Sequence, residues 1–311
     1  MGNNISRKHH YISRHHLRGF VGNKSKLTVI DLSNKQTFFS SPEGVCAVRD
    51  FNKVTIDGLP QDHYENQMSQ FESLVADAIK NIHDQNEFSG KDKDVLLNYV
   101  ALISARNPRI RNIINQHTSG TIKLLKEALT SNISIWNDHL RKMGERESTV
   151  EEFKKIQNLA REHETQYKWD NNFFLPTELE AAKHYLGFLV KRNWCLIRPA
   201  SYAGNLIIND HPVSLVWRKP RKKAFEPFNS FAGHFHKESV LYFPLSKKLG
   251  LVGEFEEQDY GSEHSIPLIA YLNSIVCFSA KTQVYTPNFE FYTLNKEKNI
   301  VSGDEFLNQI F

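Results

Sequence analysis

The sequence predicts an α+β protein in which a central helical layer is flanked by β-rich N-terminal and C-terminal segments. Three observations carry that prediction. β-prone runs precede residue 60, apolar stripes at helical spacing fill the middle, and strand patterning returns after Trp194. No internal repeat interrupts this order. The chain reads as a single domain, 1–311, with sub-regions 1–59, 60–192 and 193–311.

In the first sub-region a short helix is followed by Leu27 to Leu32 and Gln36 to Ser40, two runs joined by the turn-forming pair Ser33-Asn34. Gly44 to Ile56 reads as extended or irregular. Tyr64, Met68, Phe71, Val75, Ala78 and Ile82 then share one helical face. Val95, Tyr99 and Leu102 start a second stripe that stops at Asn107-Pro108. A third helical stretch covers Ile110 to Leu140, with an expected interruption at Ser119-Gly120, and a charged helix spans Thr149 to Tyr167. Asp170 to Pro176 reads as a loop, and Thr177 to Glu180 as a capping box that starts the next helix. Strands are expected at Cys195–Ile197, Leu206–Ile208, Val213–Trp217, Val240–Phe243 and Leu249–Val252. A buried helix over Ile266–Phe278 and a last strand at Gln283–Tyr285 complete the pattern.

With 40% hydrophobic and 24% charged residues, wholesale disorder is excluded. No apolar run is long enough to span a bilayer, so no membrane partner is expected. The three cysteines have no CxxC spacing, which argues against a disulfide framework and places the chain in the reducing cytoplasm.

Charge is segregated although the net is only +4. No acid precedes Asp31, and none lies between Asp94 and Glu127, where Arg106, Arg109, Arg111, Lys123 and Lys126 occur. A third basic cluster, Arg218, Lys219, Arg221, Lys222 and Lys223, surrounds Pro220. Each run alone is a solvated face. Together they favour an anionic partner, nucleic acid first, although no recognition motif sharpens the assignment.

Several polar residues stand where apolar ones are expected. Arg106 continues the stripe of Val95, Tyr99 and Leu102, so its guanidinium needs a carboxylate. Glu65 and Glu72, two turns apart on the preceding helix, are the candidates, and the pair would lie between the two helices. In Lys8-His9-His10-Tyr11-Ile12-Ser13-Arg14-His15-His16-Leu17-Arg18-Gly19-Phe20, Ser13 as a helix cap turns Leu17 and Phe20 inward, with His10 and Arg18 on the flank. The histidine spacing matches no zincin helix. One buried histidine with a structural or catalytic hydrogen bond is the expectation. Asp210 ends the apolar run Leu206-Ile207-Ile208, and it reads equally as a ligand-facing carboxylate and as a turn cap.

These residues resemble a largely bacterial family known as domain of unknown function 4238. The resemblance rests on His10-Tyr11-Ile12, Leu17-Arg18-Gly19-Phe20, Glu65, Phe71-Glu72 and Arg106-Asn107-Pro108-Arg109-Ile110-Arg111. Asn209-Asp210-His211-Pro212-Val213 and Phe243-Pro244-Leu245-Ser246 extend it, and it ends near Asn273 and Ala280. That family usually has Pro at the position of Ser13. Some members are associated with defence against phage, so the resemblance implies a similar role and no particular reaction. It selects His10, Arg18, Glu65, Glu72, Arg106, Arg111 and Asp210.

Three functions are compatible with these readings. In the first, the chain is a metal-dependent nuclease. Glu65, Glu72 and Asp210 bind a divalent ion, His10 is the general base, and Arg18, Arg106, Arg111, Arg221, Lys222 and Lys223 hold phosphates. In the second it is a non-catalytic sensor of a phage component. In the third it is a structural regulator with buried ion pairs. Convergence of the acids and His10 in a shared, accessible site distinguishes the first.

Overall fold

A computed structural model describes residues 7–55, 57–60, 62–162, 166–219, 232–261 and 264–310. Helix and sheet are mixed as predicted, with a central helical region and strand-rich segments at either end. The chain divides into two compact units, Met1–Asn107 with Leu175–Phe311, and Pro108–Phe174.

The larger unit opens with β1 (Lys8–His10) and the short helix α1 (Arg14–Arg18). Ser13 caps α1, its hydroxyl accepting the His15 N–H at 3.2 Å. Leu17 and Phe20 are fully buried, as the cap requires. β2 (Leu27–Asp31) and β3 (Gln36–Ser40) pair antiparallel, Leu27 opposite Ser40 and Asp31 opposite Gln36. Asp31 accepts the N–H groups of Ser33 and Asn34 at 3.1 and 2.9 Å, which is why the turn falls there. The stretch expected to be irregular contains β4 (Ala47–Arg49), which pairs with β1 and places His10 opposite Ala47.

Helix α2 (His63–Gln85) buries Met68, Val75, Ala78 and Ile82 and packs on α3 (Gly90–Ala105). Against these helices lie β8 (Ser239–Ser246) and β9 (Leu249–Glu254), whose Leu241, Phe243, Leu245, Leu249 and Leu251 are fully buried. Together with β5 (Asn193–Ile197) and β7 (Ser214–Trp217) they form a sheet ordered β5-β9-β8-β7. A second sheet, ordered β3-β2-β10-β6, adds β6 (Ile208–Asn209) and β10 (Gln283–Thr286). Helix α8 (Ile266–Ser279) supplies Ile269, Leu272, Ile275 and Val276 to the core beside that sheet.

The smaller unit holds α4 (Pro108–Leu129), α5 (Ile133–Lys142), α6 (Val150–Glu162) and the first residues of α7 (Asn171–Leu189). Three expectations are corrected in the helices and at the C-terminus. α4 runs unbroken through Ser119-Gly120. The break falls at Thr130 to Asn132, where the Asn132 side chain accepts the Ile135 N–H at 3.0 Å and starts a new helix. α7 begins at Asn171, because Asp170 accepts the Phe173 N–H at 3.0 Å, and it carries Pro176 inside it. Finally, β10 is followed by a ribbon of β11 (Tyr292–Leu294) and β12 (Ile300–Ser302) and by α9 (Gly303–Ile310).

A polar chain crosses the N-terminal core. The Ser13 N–H donates to the Tyr99 hydroxyl at 3.2 Å, which lies 3.4 Å from His16 Nδ1, and His16 Nε2 is 2.7 Å from the Pro244 carbonyl. Since a carbonyl only accepts, Nε2 carries the ring proton and Nδ1 takes the Tyr99 proton. Burial holds His16 neutral, its pKa down at about 4. Pro at position 13 would remove the N–H that starts this chain, so Ser13 matters here beyond its hydroxyl.

Tyr99→Phe leaves the Ser13 N–H and His16 Nδ1 without partners. Urea unfolding should show a loss of about 1–3 kcal/mol, the cost of orphaned buried polar groups. A neutral effect would mean that the chain is not a stabilising network.

Candidate functional site

Arg106 closes α3. The following Asn107-Pro108 cannot continue the helix, and Arg106 adopts φ −100°, ψ 82°. Only 3% of Arg106 is exposed. Its guanidinium sits 5.2 Å from the Phe51 ring centroid and 5.9 Å from that of Tyr64, so aromatic faces take up part of its charge. Nη2 donates to the His10 carbonyl at 3.3 Å and to the side-chain oxygen of Asn52, while Nε is buried without a hydrogen-bond partner.

Asn52 is the adaptor. Its amide nitrogen donates to Glu65, its amide oxygen accepts from Arg106, and its backbone N–H donates to His9 Nδ1 at 2.8 Å. The expected contact between Arg106 and Glu65 is therefore a relay through Asn52. The reason is positional: at the C-terminal end of α3, the arginine's hydrogen bonds reach β1 and the 51–52 loop, and its contact with α2 is the Tyr64 ring. Within the Lys8–Phe20 motif two histidines are buried, His9 and His16, where the sequence suggested one.

Glu72, two turns after Glu65 on α2, is half-buried. Burial drives its pKa up to about 7, against the pull of Arg106, while Glu65 pushes further upward and Ser13 and Arg14 act downward. Its carboxyl hydrogen-bonds the Ser13 hydroxyl. A carboxyl with a raised pKa thus stands within the field of a buried guanidinium.

His10 is half-buried on β1, where burial and then Arg14 and Lys8 lower its pKa. Its ring donates to the Glu43 backbone, and Nε2 is buried and has no hydrogen-bond partner. The bonded nitrogen is therefore Nδ1, which leaves the Nε2 lone pair free. His10, Glu65, Glu72 and Arg106 are brought together: Arg106 and Asn52 are buried, His10, Glu65 and Glu72 half-buried, and Arg14, whose charge acts on both His10 and Glu72, exposed.

Arg18 and Asp210 bond other partners. Arg18 pairs with Glu43 at 2.9 Å on the surface, and Glu43 is held at about 2, first by a backbone N–H and then by Arg18. Asp210 spends both oxygens on another segment. It accepts the N–H groups of Lys281, Thr282 and Gln283 at 2.8, 2.8 and 3.2 Å and the Thr282 hydroxyl at 2.6 Å. The cap it forms is on this distant segment, while the local turn is closed by Asn209, whose side-chain oxygen accepts the His211 N–H at 2.8 Å. His10, Arg18 and Asp210 share no hydrogen bond. Arg111, in the smaller unit, bonds Asn171 at 2.9 Å and packs on Phe174 at 5.1 Å. Arg221, Lys222 and Lys223 lie outside the described residues. Among the described residues no group of three or more His, Cys, Asp or Glu side chains is arranged to hold a metal ion, and no helix is long and apolar enough to cross a membrane.

Sequence reasoning missed Asn52, Phe51, Tyr64 and the Tyr99–His16 pair as parts of this site. Phe51-Asn52 carries no periodicity, and Tyr99 reads as ordinary core. The one available signal was the requirement that a buried arginine find polar and aromatic company.

A family model described as "Protein of unknown function (DUF4238)" matches residues 8–288, a span that includes every residue of the Arg106 cluster. No curated protein and no solved structure matches the chain.

Glu72 generates a pH-dependent prediction. Its folded pKa, about 7, lies above the ordinary 4.5, so protonation stabilises the fold and that stability is lost as pH rises from 4.5 through 7. Glu72→Gln, a neutral isostere, should be more stable than wild type above pH 7, by on the order of 1–3 kcal/mol. The difference should vanish near pH 4.5. Melting curves whose difference does not change with pH would contradict the assignment.

Proposed function

The chain belongs to the DUF4238 family, and from that premise we propose that the Arg106 cluster is a hydrolytic site acting on phosphodiesters, in an effector of phage defence. The observation that carries this reading is that Glu72, its pKa raised to about 7 by burial, and His10, its pKa lowered by burial and by Arg14 and Lys8, both stand around Arg106, with the buried His10 Nε2 left without a hydrogen-bond partner. Two groups of opposite proton demand in one environment supply an acid and a base. The acid-free segment around Arg14 favours an anionic substrate, and the family resemblance supports phage nucleic acid as its source.

In this reading the exposed Arg14 meets a phosphate oxygen, and Arg106 supplies fixed positive charge from below. His10 Nε2 is closed to solvent here, so this step requires the site to open: Nε2 then takes a proton from water, whose oxygen forms the new bond to phosphorus. The bond from phosphorus to the leaving oxygen breaks, and Glu72 gives that oxygen its proton. Solvent then returns the proton from His10 to Glu72. Glu65, tied to Asn52, holds Arg106 in place. Asp210 is engaged elsewhere and no step is assigned to a metal.

A second reading, a non-catalytic sensor, is favoured by the bonded chain Glu65–Asn52–Arg106, which resembles a structural network. Nuclease assays on single-stranded and duplex DNA and RNA separate the two. The hydrolytic reading predicts cleavage that falls by roughly 100-fold or more in His10→Ala and Glu72→Gln, with both variants folded. It also predicts a bell-shaped pH profile. The acid limb lies below the usual histidine value, where His10 becomes protonated, and the alkaline limb lies at about 7, where Glu72 loses its proton. Salt-sensitive binding by wild type without cleavage of any of these substrates would favour the sensor.

A further inference from the structure

The larger unit contains a cavity of about 560 Å³ that shares no residue with the Arg106 cluster. Its wall combines three lysines, Lys26, Lys247 and Lys248, with Phe39 and Glu290. Lys247 and Lys248 form the turn between β8 and β9, and Lys26 directly precedes β2.

The turn lysines are fixed in place. Lys247 Nζ donates to the Val21 carbonyl at 3.0 Å, and Lys248 Nζ donates to the Gly204 carbonyl at 2.9 Å. Each ammonium has three protons, so each keeps donors beyond that carbonyl. Both carbonyls depend on glycine. A Cβ at Gly22 would meet the Pro287 carbonyl oxygen at 2.1 Å, and Gly204 has φ +78°. Lys247 and Lys248 are half-buried, and among the described residues neither makes a salt bridge. The one acid in the wall, Glu290, accepts a hydrogen bond from Asn288 at 2.8 Å. Burial, then Lys247, lowers the Lys248 pKa, and Glu290 acts against them, as expected for neighbouring cations held partly away from water beside one acid. Three lysines against one acid leave positive charge in a concave site.

Phe39 lies on the same wall and is 71% exposed. A ring left that open has a free face for stacking. The geometry points to a nucleoside phosphate as the ligand, its phosphate on the lysines and its base on Phe39. The volume falls within the range of small-ligand pockets. This inference does not rest on hydrolysis at the Arg106 cluster.

Isothermal titration of the full chain with AMP, adenosine and inorganic phosphate tests it, using both wild type and Glu72→Gln so that turnover plays no part. AMP should bind both proteins alike and more tightly than either fragment. Phe39→Ala should weaken AMP by about 10-fold, the scale of one lost stacking contact, with little effect on phosphate. Lys248→Met should weaken AMP and phosphate together. Lys26→Glu, at an exposed position, reports on charge should Lys248→Met fail to fold, and it should also weaken both. No heat with AMP at millimolar concentration, or AMP binding unchanged in Phe39→Ala and Lys26→Glu, would overturn the assignment. So would binding of a single-stranded oligonucleotide without binding of AMP.

Discussion

A guanidinium buried at the end of a helix has to be accommodated, and much of the N-terminal region is arranged around that requirement. Arg106 cannot follow the chain further along α3, because Asn107-Pro108 ends the helix there. It turns instead toward β1 and the 51–52 loop, where a carbonyl, an amide oxygen and two aromatic faces receive it. Asn52 passes part of that charge on to Glu65. The small β1–β4 ribbon gains its purpose from this: it holds the His10 carbonyl and the following loop in register for one cation.

The chemistry of the cluster follows from the same constraint. Arg106 is already engaged by neutral acceptors, so its field only partly offsets the burial of Glu72, and that carboxyl stays near neutrality instead of ionising fully. Asp210 is the counter-example. With three N–H groups and a hydroxyl directed at it, it is consumed by the fold. Lys247 and Lys248 lie between these extremes, each bonded to one carbonyl and each with donors to spare.

What the sequence disclosed is what local pattern can encode. The stripes of α2 and α3, the β2–β3 hairpin and the Ser13 cap were legible because periodicity and capping act over a few residues. Residues of odd polarity were legible too, and His10, Glu65, Glu72 and Arg106 do converge. Their wiring was not legible. Asn52 lies 54 positions from Arg106 in a segment without periodicity, and the segment that Asp210 caps is about 70 residues further along the chain. The start of α7 was misplaced because Pro176 and a capping-like string outweighed Asp170, the residue whose side chain actually caps. Long-range polar pairing leaves no local trace, so placement of a charge was predictable and its partner was not.

The central claim is that Arg106 is a desolvated cation on which this arrangement depends. Urea unfolding of Arg106→Ala, with Arg18→Ala as the control for an exposed pair, tests it directly. The account predicts a loss of about 3–5 kcal/mol for Arg106→Ala, the cost of removing one member of a buried charged network. A loss below about 1 kcal/mol, the scale of a surface ion pair such as that of Arg18, would contradict it.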